Sequence, residues 1–183
     1  MAVPSVVRHH MTLREFLLAW EAGAFGKRTE LLDGEVWDVT IGDWHGDVTM
    51  SVGRALPNAT VTVTSSSLAS GASLPQPDCW ARRKEADPIE QLSPRMTRWA
   101  VEDVLLVVEV SDETREYDLG RKAEIYAEAG FAHYWSVCRD GVYAHSEPIS
   151  GTYRHRTVYK AGDRVPVPYA EGVELPVEDL IRP

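Results

Sequence analysis

Hydrophobic and polar positions divide the chain into short blocks of changing period. In "MTLREFLLAW", Phe16, Leu17 and Trp20 fall at helical spacing behind Thr12, and Glu15 stands three residues after Thr12 as in a capping box. This predicts a first helix over Leu13 to Glu21. In "TELLDGEVWDV", Asp33-Gly34 separates two short apolar runs, which is the strongest short-range signal for a hairpin of two antiparallel strands. After Gly42, Trp44, Val48, Val52 and Leu56 form one stripe behind Asp43 as the expected cap, and Pro57-Asn58 stops it, so a second helix is expected there.

Period two takes over in "ATVTVTSS", a strand with one polar face. The prolines of "LPQPDCWARR" force an extended entry and place Asp78 at a strand start. Lys84 to Trp99 is charged and carries Pro88 and Pro94, and reads as an exposed loop or irregular insertion. Val104 to Val108 is an uninterrupted apolar run, as in the middle of a sheet, yet it runs into Glu109. From Tyr117 to Ala129, ended by Gly130, the period is helical, with Asp118, Lys122, Ile125, Tyr126 and Ala129 along one side. "AHYWSV", "GVYAHSE" and "GTYRHRTVYK" predict three more strands joined by glycine turns, ahead of a proline-rich tail ending in "ELPVEDLI". The order predicts an α/β fold: a central mixed β-sheet flanked by helices, with additional antiparallel strands at the C-terminal end.

Composition narrows this picture. The 183 residues suit one domain, taken as 11–183 behind an N-terminal tail of 1–10, and 44% hydrophobic content suffices for a core. "MAVPSVVRHH" has no apolar run of signal-peptide length, and no stretch approaches the roughly 18 apolar residues that span a bilayer, so a soluble cytoplasmic protein without membrane contact is expected. Cys79 and Cys138 have no metal-ligand spacing and read as reduced, buried thiols. A net charge of -9 argues against coating nucleic acid through a basic face, without excluding local contact.

Glu109 is the chemical question. An ionised carboxylate in a core strand costs several kcal/mol unless it is paired or metal-bound. Asp78 stands in another apolar strand that would pair readily with the first. Two carboxylates side by side in a sheet repel unless a cation or proton lies between them, and a divalent metal is the economical answer. A lysine on the following helix could reach the same point. A buried Glu109–Lys122 ion pair, with Asp78 capping a turn after Pro77, is the structural alternative.

"PQPDCWA", "VVEVSDETREYDLGRKAEIYAEAG" and "HYWSV", with "ELLDGE" and a histidine shortly after it, together resemble the Uma-two family of endonucleases, within the restriction-endonuclease-like PD-(D/E)XK superfamily. The resemblance runs from about Met11 to the end. It implies that Asp78 is the acid of the PD element and Glu109 the acid of the second. Ser111 stands where the superfamily usually has lysine, and Lys122 on the next helix matches the family's replacement. The resemblance further implies Mg²⁺ or Mn²⁺ held by Asp78, Glu109 and the Val110 backbone carbonyl, with DNA as partner and phosphodiester hydrolysis as activity. Glu30 and Glu35 fall in the hairpin motif, Thr29 replaces a more usual tyrosine, and His45 matches the family histidine. Glu30, His45 and Tyr126 are candidate supporting residues, although Tyr126 also reads as packing and Glu35 as solvent-exposed. Arg82 and Arg83 are candidate phosphate contacts. A homodimer is open to the chain, since related nucleases often pair to cut both strands. The competing functional reading is a catalytically inactive nucleic-acid-binding or assembly module with the same fold.

Overall fold

The computed structural model describes residues 9–26 and 28–182; most of the proposed tail, residues 1–8, lies outside them. Helix α1 (Leu13–Glu21) starts at Thr12, whose hydroxyl accepts from the Glu15 N–H while the Glu15 carboxylate accepts from the Thr12 N–H, the reciprocal pattern its sequence encodes. Strands β1 (Thr29–Leu32) and β2 (Glu35–Asp38) form the expected hairpin, turning through Asp33 and Gly34 at positive φ. Helix α2 (Asp43–Ala55) is capped by extended Gly42; Asp43, expected as the cap, is instead its first residue, where its charge suits the helix N-terminus.

The central sheet has six strands in the order β10-β9-β8-β7-β4-β3. These are β3 (Val61–Thr64), β4 (Cys79–Arg83), β7 (Val104–Ser111), β8 (His133–Cys138), β9 (Gly141–Ile149) and β10 (Thr152–Tyr159). Only β7 and β8 pair in parallel, joined by a helical crossover; the other neighbours are antiparallel. Residues 84–99, expected as a loop, contain a hairpin of β5 (Glu90–Ser93) and β6 (Met96–Arg98). Its prolines fall outside the paired residues, Pro88 before the first strand and Pro94 in the turn.

The crossover is helical as expected over Tyr117 to Ala129, but not uniformly so. It begins as α3 (Arg115–Tyr117), widens into a π-helical turn over Asp118–Lys122, and ends as α4 (Ala123–Glu128). Near the C-terminus, β11 (Arg164–Pro166) pairs with β12 (Glu174–Pro176), followed by a short helix α5 (Val177–Ile181) where only a tail was expected.

Both sheet faces are covered. On one, Val48 and Val52 of α2 and Leu180 of α5 pack against Ala81, Leu106 and Val108. On the other, Ala123 and Tyr126 of α4 pack against Trp80, Val107 and Tyr134. A third cluster, around Phe16, Leu31 and Leu74, seats α1 against the β1–β2 hairpin. Among the described residues, no helix is long and apolar enough to cross a membrane.

Candidate active site

Neighbouring strands β4 and β7 bring the two acids to the same end of the sheet. Cys79 lies opposite Val108 and both face α2, whereas Trp80 lies opposite Val107 and both face α4. Glu109, one step farther along β7, reaches Tyr126 of α4, whereas Asp78 is not the strand start expected but the bend residue just before β4, and meets β7 through the Val110 N–H. Both carboxylates line one pocket of about 340 Å³ at this end of the sheet, together with Lys122.

Asp78 is held from two sides. Its Oδ2 accepts from the Val110 backbone N–H at 2.7 Å and lies 3.0 Å from His45 Nε2 on the first turn of α2. His45 Nδ1 is buried and has no partner among the described residues. Glu109 is 3% exposed, and its Oε1 accepts from Lys122 Nζ at 3.0 Å and from the Tyr126 hydroxyl at 2.5 Å. Lys122 also donates to Glu30 Oε1 at 3.1 Å, and that same oxygen accepts from the Gln76 backbone N–H at 2.6 Å. Glu30 reaches inward because β1 is buried along its whole length, and Leu31 exchanges backbone hydrogen bonds with Leu74. Asp118, one turn before Lys122, is buried with Oδ1 3.9 Å from Nζ, and its Oδ2 accepts from the Thr114 hydroxyl.

The π-helical turn sets this arrangement. It buries both Asp118 and Lys122 on the sheet side, while Arg121, one residue earlier than Lys122, faces out and holds Asp33 of the hairpin through two hydrogen bonds of 2.5 and 2.6 Å. Helix and hairpin are thereby tied to each other at the pocket.

Electrostatics follow from burial. Burial pushes Glu109 well above the usual carboxylate range; Lys122 partly offsets this, and Asp78, Asp118 and Glu30 push it further up. Burial alone would lower Lys122, but Glu109, Glu30 and Asp118 together outweigh it and hold the ammonium above its ordinary value. Asp118 is raised by burial despite Lys122 and the Thr114 hydrogen bond. Tyr126 is raised by burial and by Glu109, so its hydroxyl keeps the proton it donates.

Other expected residues lie apart. Arg82 and Arg83 sit at the far end of β4 and do not line the pocket; Arg82 lies over the Trp99 ring at 3.9 Å and Arg83 is 3.4 Å from Asp103. Glu35 is half-buried on β2 opposite Leu32, and Thr29 donates to Asp38 at 2.6 Å. Cys79 and Cys138 are free and buried, burial raises both thiols above the ordinary value, and neither lines the pocket. Sequence reasoning missed the backbone N–H groups of Gln76 and Val110, which carry no side-chain signal. It also missed Trp37 and Tyr117, whose rings meet at 5.3 Å on the pocket wall.

Comparison with known proteins supplies the relationship. A family model, Uma2, described as "Putative restriction endonuclease", matches residues 13–178. The fold is similar to the crystal structure of "a putative nuclease belonging to DUF820" from Anabaena variabilis, with a TM-score of 0.68 and 16% identity, covering 93% of this chain and 97% of that one. No curated protein matches. The two acids in one pocket, the lysine of the crossover helix and the family match over most of the chain lead to one conclusion: the protein belongs to the Uma2 family and has a restriction-endonuclease-like nuclease fold.

Proposed function

We propose that the protein is a metal-dependent nuclease that hydrolyses DNA phosphodiester bonds, with the metal held by Asp78 and Glu109 and with Lys122 assisting. The observation that carries this reading is the meeting of two acids, Asp78 just before β4 and Glu109 on β7, with one helix lysine in a single pocket. The donor set suits a hard cation. The hydrogen bonds to both acids fall on Asp78 Oδ2 and Glu109 Oε1, while Asp78 Oδ1 and Glu109 Oε2 have no hydrogen-bond partner among the described residues. Val110, whose carbonyl would complete the set, lines the same pocket. No cluster of three or more His, Cys, Asp or Glu side chains forms a cage among the described residues. Two carboxylates with room for water and phosphate fit Mg²⁺ or Mn²⁺ better than zinc or calcium.

Such a cation, when bound, polarises the scissile phosphate and lowers the pKa of the attacking water. The chain's own residues do the rest. Hydrolysis forms a bond from water oxygen to phosphorus, breaks the bond to the leaving oxygen, and transfers the water proton to solvent or the leaving group. The Lys122 ammonium, kept protonated by its carboxylates, offsets charge on the phosphorane-like transition state or orients the water. Glu30 steers Lys122, Tyr126 fixes one oxygen of Glu109, and His45 with the Val110 N–H fixes Asp78.

Incubating the protein with plasmid or single-stranded DNA and Mg²⁺ or Mn²⁺, beside Asp78→Ala and Lys122→Ala, tests the proposal. Each variant, confirmed as folded by circular dichroism, is expected to lose at least about 100-fold in rate. Equal cleavage by all three proteins would defeat it.

One observation favours the inactive binding or assembly module. Lys122 already has Glu30 and Glu109 as partners, and Tyr126 completes the network without any metal. Calorimetry with Mn²⁺ separates the two readings: binding lost in Glu109→Ala supports the nuclease, and no binding supports the module.

A further inference from the structure

Resting on the nuclease reading, we infer that the Trp37–Tyr117 pair is a stacking platform for an unpaired nucleobase, so that the substrate is single-stranded rather than fully paired DNA. Trp37 lies opposite Glu30 in the hairpin register, which puts both side chains on one face of the ribbon. Glu30 touches Lys122, and the indole and the assisting lysine line the same pocket. Tyr117 is the last residue of α3, just before the π-helical turn that delivers Lys122, and its ring meets the indole at 5.3 Å with a tilt of 34°. Both rings line the pocket, yet Trp37 is 43% exposed, unlike a core tryptophan such as Trp80 at 1%.

Charge points the same way. The pocket wall carries the carboxylates of Glu30, Asp38, Asp78, Glu109, Glu113 and Asp118 against the cations Arg28 and Lys122. A wall so acidic does not grip a run of phosphates, and Arg82 and Arg83 lie at the far end of β4. Affinity beyond the one phosphate at the reacting centre therefore comes from base stacking, which tolerates any sequence. A pocket of about 340 Å³ is at the small end of the range for enclosed ligands, suiting one nucleotide unit and not a double helix.

The test is binding of a short, cleavage-resistant phosphorothioate oligothymidylate carrying one fluorescent aminopurine, as a single strand and as a perfect duplex, with Mg²⁺ as the cation. The wild-type protein is expected to bind the single strand at least about ten-fold more tightly than the duplex and to quench the aminopurine. Trp37→Ala should lose roughly ten-fold in single-strand affinity together with the quench, while Trp37→Phe retains most of both. Equal affinity for duplex and single strand, unchanged binding by Trp37→Ala, or binding of neither DNA would overturn the inference. Failure here remains distinct from failure of the nuclease reading: cleavage lost in Asp78→Ala but equal on both DNAs and insensitive to Trp37→Ala removes the platform and leaves the nuclease.

Discussion

Lys122 is 6% exposed and lies between Glu30 and Glu109, with Asp118 a little farther off. Removing one partner of a buried ion cluster leaves the others uncompensated, which typically costs about 3–5 kcal/mol. Lys122→Ala is therefore expected to lower the unfolding free energy by about 3 kcal/mol in metal-free buffer, measured by urea denaturation. Tyr126→Phe deletes one hydrogen bond to Glu109 and leaves the ring packed, so a loss of about 1–2 kcal/mol is expected in the same experiment. At this scale the sequence was partly legible. Glu109 announced itself as a charge in an apolar strand, and Lys122 through its spacing among buried helix positions. Tyr126 was a candidate supporting residue, but a tyrosine on an apolar stripe reads more readily as packing, so its hydroxyl contact with Glu109 was not specified. Trp37 was hidden because an exposed aromatic in a hairpin has no pattern that separates it from surface.

Among the elements, those specified by local chemistry were the most legible. The Thr12 and Glu15 capping box starts α1 where its pattern says, and Thr12→Ala should cost about 1 kcal/mol in thermal or urea unfolding. Asp33-Gly34 turned the hairpin as expected. The β8–β9 turn imposes a stricter condition: Gly141 has φ of +150°, and an added Cβ would meet the Tyr159 carbonyl oxygen at 2.3 Å. Gly141→Ala is expected to destabilise by at least about 2 kcal/mol, because backbone rather than a flexible side chain must yield. The π-helical turn was not legible, since widening one turn to i→i+5 bonding needs no residue that an ordinary helix lacks. The β5–β6 hairpin was obscured by its charge and prolines, although Arg98 of β6 pairs with Glu90 of β5 at 2.8 Å across it. Helix α5 was too short for its period to register, and tertiary packing of Leu180 and Ile181 against the sheet forms it.

For the whole molecule, alternating blocks of period two and 3.6 gave the mixed sheet between helices, and the pairing of β4 with β7 then brought the two acids to one pocket. Global stability should also carry a signature from a residue that does not line the pocket. His145 on β9 packs against Tyr134 and Tyr153, and burial, with a smaller contribution from Arg156, pulls it down from 6.5 to about 4. The unfolded chain thus takes up this proton before the folded one does. Stability is complete above the unfolded value and is lost as pH falls from 6.5 towards 4. Compared with His145→Phe, the native protein should lose up to about 3 kcal/mol across that window in urea titrations, and parallel curves would refute the assignment. The central claim, that Glu109 helps to hold a catalytic cation, is tested most directly by Glu109→Gln, which keeps the side chain's shape and its Tyr126 contact. Single-turnover cleavage of single-stranded DNA, with Mn²⁺ binding measured on the same samples, should show both activity and metal affinity lost while the fold is retained. Cleavage at the native rate with native metal affinity would contradict the account.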